Sequence, residues 1–393
     1  MTRACRLIVA SLVWFVLVGS AFAASDRTRV VFTVDVESNE TFSLPDQLDV
    51  VCKDGSACGL MEIVRLLKER GWSGTFFLNV FEHQQWGETA MRNIAVRLQT
   101  AGQDVALHTH PQWGYDPSRF GMNQYSLDEQ TTIVRDGVRL LQAWTGRPVV
   151  AHRTGAYAAD ERTLIALERN GLLVDSSAFW KYPTSRLDGL GLPRNLPARH
   201  GRLAEIPVTV YERETRPTIF AAAFPSVTTV RKIDPNWFIN ANEATTAIDA
   251  AVASELPTLV VFLHSFSFMG EHTPGGQPAA DRHAMDMFRV ILDHVASKDL
   301  PVVTMRGLAE QGLLLAPSSA RDVVPRVTVP VELNRYLWRR LRASAGVSLS
   351  LGVGLTLVSA GGLVVLARWR KATEGSARGA GAVSPMRRGA PSR

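Results

Sequence analysis

Cysteine is scarce in this chain, with three residues in 393. Cys5 lies in an N-terminal leader, so a mature chain keeps only Cys52 and Cys58. An even pair in an oxidising compartment is expected to form a disulfide closing a small loop. Two free or metal-binding thiols are the alternative, but a pair separated by five residues matches no zinc motif well. A basic core is lacking too, because the formal charge of +6 sits at the ends. Residues 368–393 carry seven Lys/Arg against one acid, whereas residues 24–334 hold 30 basic and 36 acidic residues. That mildly acidic body lacks the electrostatic footprint of a nucleic-acid binder, and no nucleic acid is expected as a partner. No internal repeat is evident.

Long apolar runs occur twice. The first, from Leu7 to Val18, follows Arg3 and Arg6 and ends in small residues with an Ala-Phe-Ala-Ala pattern. This reads as a secretory signal peptide, residues 1–23, cut after Ala23; an uncleaved anchor is the alternative. The second run, 343–367, has no charged residue and is long enough to cross a hydrocarbon core at about 1.5 Å per residue. A buried core helix is the competing reading, but Arg368, Arg370 and Lys371 follow at once. The expected order is therefore a signal peptide, an extracytoplasmic (periplasmic) catalytic domain at 24–316, a Pro/Val-rich stalk at 317–342, a single membrane helix, and a basic cytoplasmic tail at 368–393.

Between the two ends, β-branched runs alternate with stretches of helical periodicity, which predicts one barrel-like α/β domain with parallel strands. Strands are expected at 30–36, 74–80, 104–108, 149–153, 172–176, 205–210, 259–264 and 302–305. Helices are expected at 61–70, 89–101, 127–145, 161–169, 243–254 and 281–297, with Asp128, Asp160 and Asp281 near their starts. The Pro/Gly-rich segment 181–201 reads as an excursion over the rim.

Polar residues recur where these strands run out. The first ends Val-Asp35-Val-Glu37, and residues two apart on a strand point the same way, so one carboxylate can bind a metal while the other takes a proton. Two buried carboxylates repel unless a cation or an arginine stands by. Helix capping is the plainer explanation of that pair taken alone. The third strand ends His108-Thr-His110-Pro, and two imidazoles with a carboxylate form a facial set for a zinc-class divalent ion. Further strands end in His152-Arg153, Asp175-Ser-Ser and His264-Ser. Each alone reads as loop polarity, but active sites of parallel α/β barrels are assembled at that rim.

Taken in order, Thr-Val-Asp35-Val-Glu37, Gly-Thr-Phe-Phe-Leu, His108-Thr-His110-Pro, Arg153-Thr-Gly-Ala-Tyr157, Asp175-Ser-Ser and Leu-His264-Ser resemble the polysaccharide deacetylases of the NodB-homology, carbohydrate esterase family 4 type, from about Arg29 to Leu315. The resemblance implies an irregular (β/α) barrel of about seven strands and metal-dependent removal of acetyl groups from N-acetylated sugars, a hydrolase of non-peptide C–N bonds. It implies Asp35 as catalytic base, Glu37, His108 and His110 as metal ligands, Arg153 as the arginine orienting the base, His264 as general acid and Asp175 as the carboxylate tuning it. The sequence departs from the commonest pattern, which has adjacent acids and a second histidine where Gln112 stands, so the division of roles between Asp35 and Glu37 stays open. A backbone amide near Tyr157 is expected to hold the oxyanion. Tyr157, Trp113 and Trp180, with Tyr115, Phe179 and Tyr182, are candidates to stack on sugar rings, with core packing as the alternative for each. An amidase or imidase on another C–N substrate and a non-catalytic glycan-binding relative are the rival functions.

Overall fold

In the computed structural model of the chain, the described residues are 27–216, 227–236, 239–270, 276–312 and 322–330. The expected signal peptide, membrane helix and basic tail lie outside them. Among the described residues no helix is long and apolar enough to cross a membrane.

The strands in chain order are β1 (Arg29–Val36), β2 (Thr75–Asn79), β3 (Asp104–Thr109), β4 (Ala151–Thr154), β5 (Val174–Asp175), β6 (Ala198–His200), β7 (Leu203–Glu205), β8 (Val210–Arg216), β9 (Val227–Lys232), β10 (Thr258–His264) and β11 (Arg326–Pro330). The principal helices are α1 (Leu60–Lys68), α2 (Glu88–Thr100), α3 (Leu127–Thr145), α4 (Glu161–Arg169), α5 (Ala241–Ala253), α6 (Arg282–Ser297) and the short α7 (Met305–Glu310). Eight strands form one curled sheet in the order β10-β1-β2-β3-β4-β5-β7-β6, parallel except where β6 turns back on β7. The fold is α/β, as expected.

Strand alternation sorts the side chains into two layers. Val30, Phe32, Val34, Leu107, Val261 and Leu263 pack under the helices. Val31, Phe77, Ala106, Ala151, Val174 and Val260 line the inner face, which Met305 and Leu308 of α7 close at one end. Helix α3 approaches β3 closely because Gly137 carries no Cβ; one added there would lie 2.9 Å from a methyl of Leu107. Asp160 and Asp281 cap α4 and α6 as expected, whereas α3 is capped by Ser126, which accepts from the Glu129 N–H, and Asp128 sits in its first turn.

Three expectations are corrected. The strand expected at 205–210 is interrupted, because Pro207 has no N–H to give a ladder; the chain leaves β7 at Glu205 and re-enters a sheet as β8. The strand expected at 302–305 is reduced to one bridge from Val302 to Val30, since Thr304 turns the chain by capping α7. Part of the expected stalk is folded: β11 pairs in parallel with β8, whose other edge pairs antiparallel with β9. Alternation explains this, with Val327 and Val329 buried while Arg326 and Thr328 reach Glu212 and Glu214. Cys52 and Cys58 are joined in a disulfide.

The small sheet also docks on β10, the edge of the large one. Val260 N–H donates to Thr209 Oγ1 (2.8 Å), and Phe262 N–H donates to the Ile233 carbonyl (2.9 Å). If β11 belongs to the folded unit, a chain ending at residue 316 should melt at lower temperature than one ending at 330. Losing the burial that Val327 and Val329 provide costs about 3 kcal/mol, and equal melting temperatures would show that β11 contributes nothing.

Candidate metal centre

Glu37, His108 and His110 offer three ligand atoms lying within 4.8 Å of one another, at the carboxyl ends of β1 and β3, the two strands that flank β2. The registers that bring them together pair Asp35 with Phe77 and Asn79 with His108. Glu37 Oε2 is 3.0 Å from His108 Nε2 and 2.5 Å from His110 Nε2. Nδ1 of His108 faces the Arg153 carbonyl at 2.9 Å and donates there, which leaves Nε2, the nitrogen turned toward Glu37, as the one to face an ion. His110 Nε2, although close to Glu37, is buried and makes no hydrogen bond. Two imidazole nitrogens and a carboxylate oxygen, one nitrogen left without a hydrogen bond, fit a zinc-class ion. Burial opposes ionisation of Glu37, but the His110 and His108 rings outweigh it and hold the carboxyl well below its usual range. Burial likewise opposes a proton on His110, and Glu37 reverses the balance and raises its pKa.

Two neighbours shape this cradle. A Cβ on Gly155 would overlap the imidazole of His110, so glycine is what admits the ring. Gln112 places its amide 3.2 Å from His110 Nδ1, while its Oε1 is buried with no partner. The two ends of an amide have the same shape. With the oxygen turned toward the ring, it accepts from Nδ1–H and leaves Nε2 its lone pair.

Asp35 lies beside the ligands, with Oδ2 3.9 Å from His108 Nε2. Arg153 is fully buried and donates to Asp35 Oδ1 (2.7 Å), Thr33 Oγ1 (3.1 Å), the Ser176 carbonyl (2.9 Å) and Ser176 Oγ (3.0 Å), with Phe77 against its plane at 4.4 Å. His264, the register partner of Asp35, has Nε2 3.6 Å from Glu37 Oε1 and stacks on Phe266. Burial lowers its pKa to about 4 against the pull of Glu37.

Asp175 is placed differently from the role the resemblance implies. It is hydrogen-bonded to His152 Nδ1 (2.8 Å) and to Ser177 Oγ (2.9 Å) rather than to His264. Register is the reason: His152 and Asp175 are paired neighbours, and Ala151 and Val174 before them line the inner face. Alternation therefore turns His152 and Asp175 to the opposite face from Arg153. There Thr109 Oγ1 meets His152 Nε2 at 3.0 Å, and Glu205 lies beside Asp175. Burial and then the Asp175 charge hold the Glu205 carboxyl well above its usual range, which favours its protonated form.

Of the expected aromatic contacts, Tyr157 is buried at the turn after β4, edge-on to Phe179 (5.0 Å) and Tyr182 (4.9 Å). Ala156 and Tyr157 both take the left-handed conformation, φ 48° and 53°, a strained pair in non-glycine residues. Trp113 packs by Trp86 (6.3 Å), whereas Trp180 is held between Lys181 (4.1 Å) and Arg194 (4.2 Å).

Sequence reading missed Glu82. This buried carboxylate accepts from Ser38 N–H (2.8 Å), Ser38 Oγ–H, Asn79 Nδ2 (3.0 Å) and Trp86 Nε1 (3.0 Å). Asn79 Oδ1 in turn accepts from the His110 N–H (3.3 Å). Glu82 thus ties the residue after Glu37 to the backbone of His110. The turn that follows the Gly-Thr-Phe-Phe-Leu strand was the available signal.

Substituting Gly155→Ala should abolish metal binding, and Gln112→Ala should weaken it about ten- to a hundredfold. Competition with a chromogenic chelator reads both, and wild-type affinity in Gly155→Ala would remove the His110 ring from the ligand set.

No protein-family model matches the chain, and no curated protein is similar to it. Solved structures similar to it include one assigned as a polysaccharide deacetylase from Mycobacterium smegmatis, at 17% identity over 76% of this chain and 96% of that one, TM-score 0.47. A carbohydrate esterase family 4 pseudoenzyme from Bacillus anthracis matches at 13% identity over 77% and 70%, TM-score 0.39. A family 4 carbohydrate esterase from Streptomyces lividans, in complex with acetate, matches at 13% identity over 76% and 98%, TM-score 0.36.

Proposed function

We propose that the chain is a metal-dependent hydrolase that removes acetyl groups from N-acetylated sugars of an extracytoplasmic polysaccharide or glycoconjugate, on an irregular barrel of the NodB-like kind. The observation that carries this reading is the convergence of Glu37, His108 and His110 beside an arginine-bound Asp35. Glu37, His108 and His110 would hold the ion, which when bound polarises an amide carbonyl and acidifies water.

The chain's own residues supply the rest. Arg153 fixes Asp35 Oδ1 and leaves Oδ2 facing the ligand set, where it takes the proton of the attacking water. An N–H of the strained turn at Tyr157 donates to the oxygen that becomes negative as the tetrahedral carbon forms. His264 stands on the Oε1 side of Glu37 and, when protonated, gives its proton to the departing nitrogen. Because burial makes His264 a weak base, its protonated form is a strong donor. Asp175, engaged behind the site, has no part in these steps.

His108→Ala should lose both bound metal and acetate release. Asp35→Asn should keep the metal while turnover falls about 10²- to 10⁴-fold. Elemental analysis and acetate assays on N-acetylated oligosaccharides test both, with cyclic imides as the competing substrates. Acetate release that survives in metal-free His108→Ala would end the reading, and turnover of the imides alone would move it to imidase chemistry.

We propose also that residues 1–23 direct export and 343–367 anchor the chain, leaving the tail at 368–393 cytoplasmic. Protease added outside spheroplasts should then digest the folded domain and spare an epitope at the C-terminus; the reverse pattern would invert the topology.

A further inference from the structure

Among the described residues, the mechanism above leaves a cation at the half-barrel's mouth without a task. Lys232 ends β9, and the next residue, Ile233, bridges Val261 of β10 and is packed with it under the helices. Alternation therefore turns Lys232 to the inner face. Its Nζ lies 3.2 Å from the centroid of the Phe262 ring, 5.7 Å from that of Tyr157 and 3.5 Å from the Tyr157 hydroxyl. The acid beside it, Asp234, has Oδ2 3.9 Å away, outside hydrogen-bond reach. Lys232 is 18% exposed, close to the 15% of Glu37, so both open onto solvent to a similar degree.

An ammonium has three donors, and here they meet a long contact to one hydroxyl and an aromatic face. The cation–π contact steadies the charge without using its hydrogen bonds. Arg153, by contrast, is committed to Asp35, Thr33 and Ser176. Burial draws the pKa of Lys232 down to about 8 against the pull of Asp234 and Asp35, which leaves it mostly charged at neutral pH.

Resting on the hydrolase reading of this site, we infer that Lys232 is a substrate-binding residue that recognises a single carboxylate on the sugar whose amide is cleaved, so that the site takes an acidic N-acylated sugar over a neutral one. A point-charge ammonium suits a monoanion, whereas phosphate recognition favours several convergent donors. Asp234 partly balances Lys232 and makes a second negative charge unwelcome.

Calorimetric titration of the full chain in detergent, stripped of metal so that nothing turns over, tests this. The probes are a neutral N-acetylglucosamine oligosaccharide, its counterpart with N-acetylated hexosaminuronic acid, and a sugar phosphate of the same length. The acidic sugar should bind at least tenfold more tightly than the neutral one. Lys232→Met and Lys232→Gln should abolish the difference and Lys232→Arg should retain part of it. Equal or absent binding of the two sugars to wild type, or a preference that survives in Lys232→Met, overturns the inference, and tighter binding of the phosphate overturns the carboxylate assignment. Acetate release by the metal-loaded chain is read separately: a binding preference without turnover fails the hydrolase reading and leaves Lys232 its role.

Discussion

The buried ion pair between Arg153 and Asp35 is the constraint on which the site depends. Two carboxylates on one short stretch, Asp35 and Glu37, face the same inner surface, and their mutual repulsion with the loss of hydration would protonate one of them. Arg153 removes that conflict for Asp35, and the imidazoles of His108 and His110 do so for Glu37. The guanidinium is itself desolvated, and its cost is met by four donated hydrogen bonds together with the faces of Phe77 and Phe262. Removing the arginine would leave an uncompensated buried carboxylate, a loss of about 3–5 kcal/mol. The counter-ion is therefore part of the fold as much as of the chemistry.

What could be read in the sequence follows from the same alternation. Asp-x-Glu and His-x-His keep parity, so each pair had to share a face, and both pairs lie at strand ends in the structure. For Asp175 the resemblance implied a role beside His264, and alternation could not check it because β5 has only two residues. A strand that short shows no periodicity, and its parity is settled by register with β4, which is not visible in composition. The same holds for β11: Val327 and Val329 alternate with polar residues as an edge strand does, but a Pro/Val-rich context before an apolar run suggested a stalk. The roles of Gln112 and Glu82 were harder to read, for another reason. They act through hydrogen bonds to His110 and to Ser38 and Asn79, and such roles depend on side-chain geometry rather than on spacing.

Behind the site, Thr109, His152, Asp175 and Glu205 form a buried polar row across β3, β4, β5 and β7. Its charges are arranged to stay small. Burial suppresses the proton on His152, which leaves it a neutral ring donating Nδ1–H to Asp175 and accepting at Nε2 from Thr109. Burial favours the protonated form of Glu205, and the free oxygens of Asp175 and Glu205 lack any other partner, which suits a proton held between them. One negative charge then remains in the row.

The two faces are joined by the serines after β5. Ser176 gives its carbonyl and hydroxyl to Arg153 on the inner face, while Ser177 bonds Asp175 on the other and accepts from the Thr154 N–H. A shift of β5 against β4 would therefore break the His152–Asp175 pair and withdraw two acceptors from Arg153 together. Because buried polar groups left unpaired cost about 1–3 kcal/mol each, the row penalises any register but this one. Asp175 thus serves the candidate site from the far side of the sheet: it holds in place the strand end on which Arg153, and through it Asp35, relies.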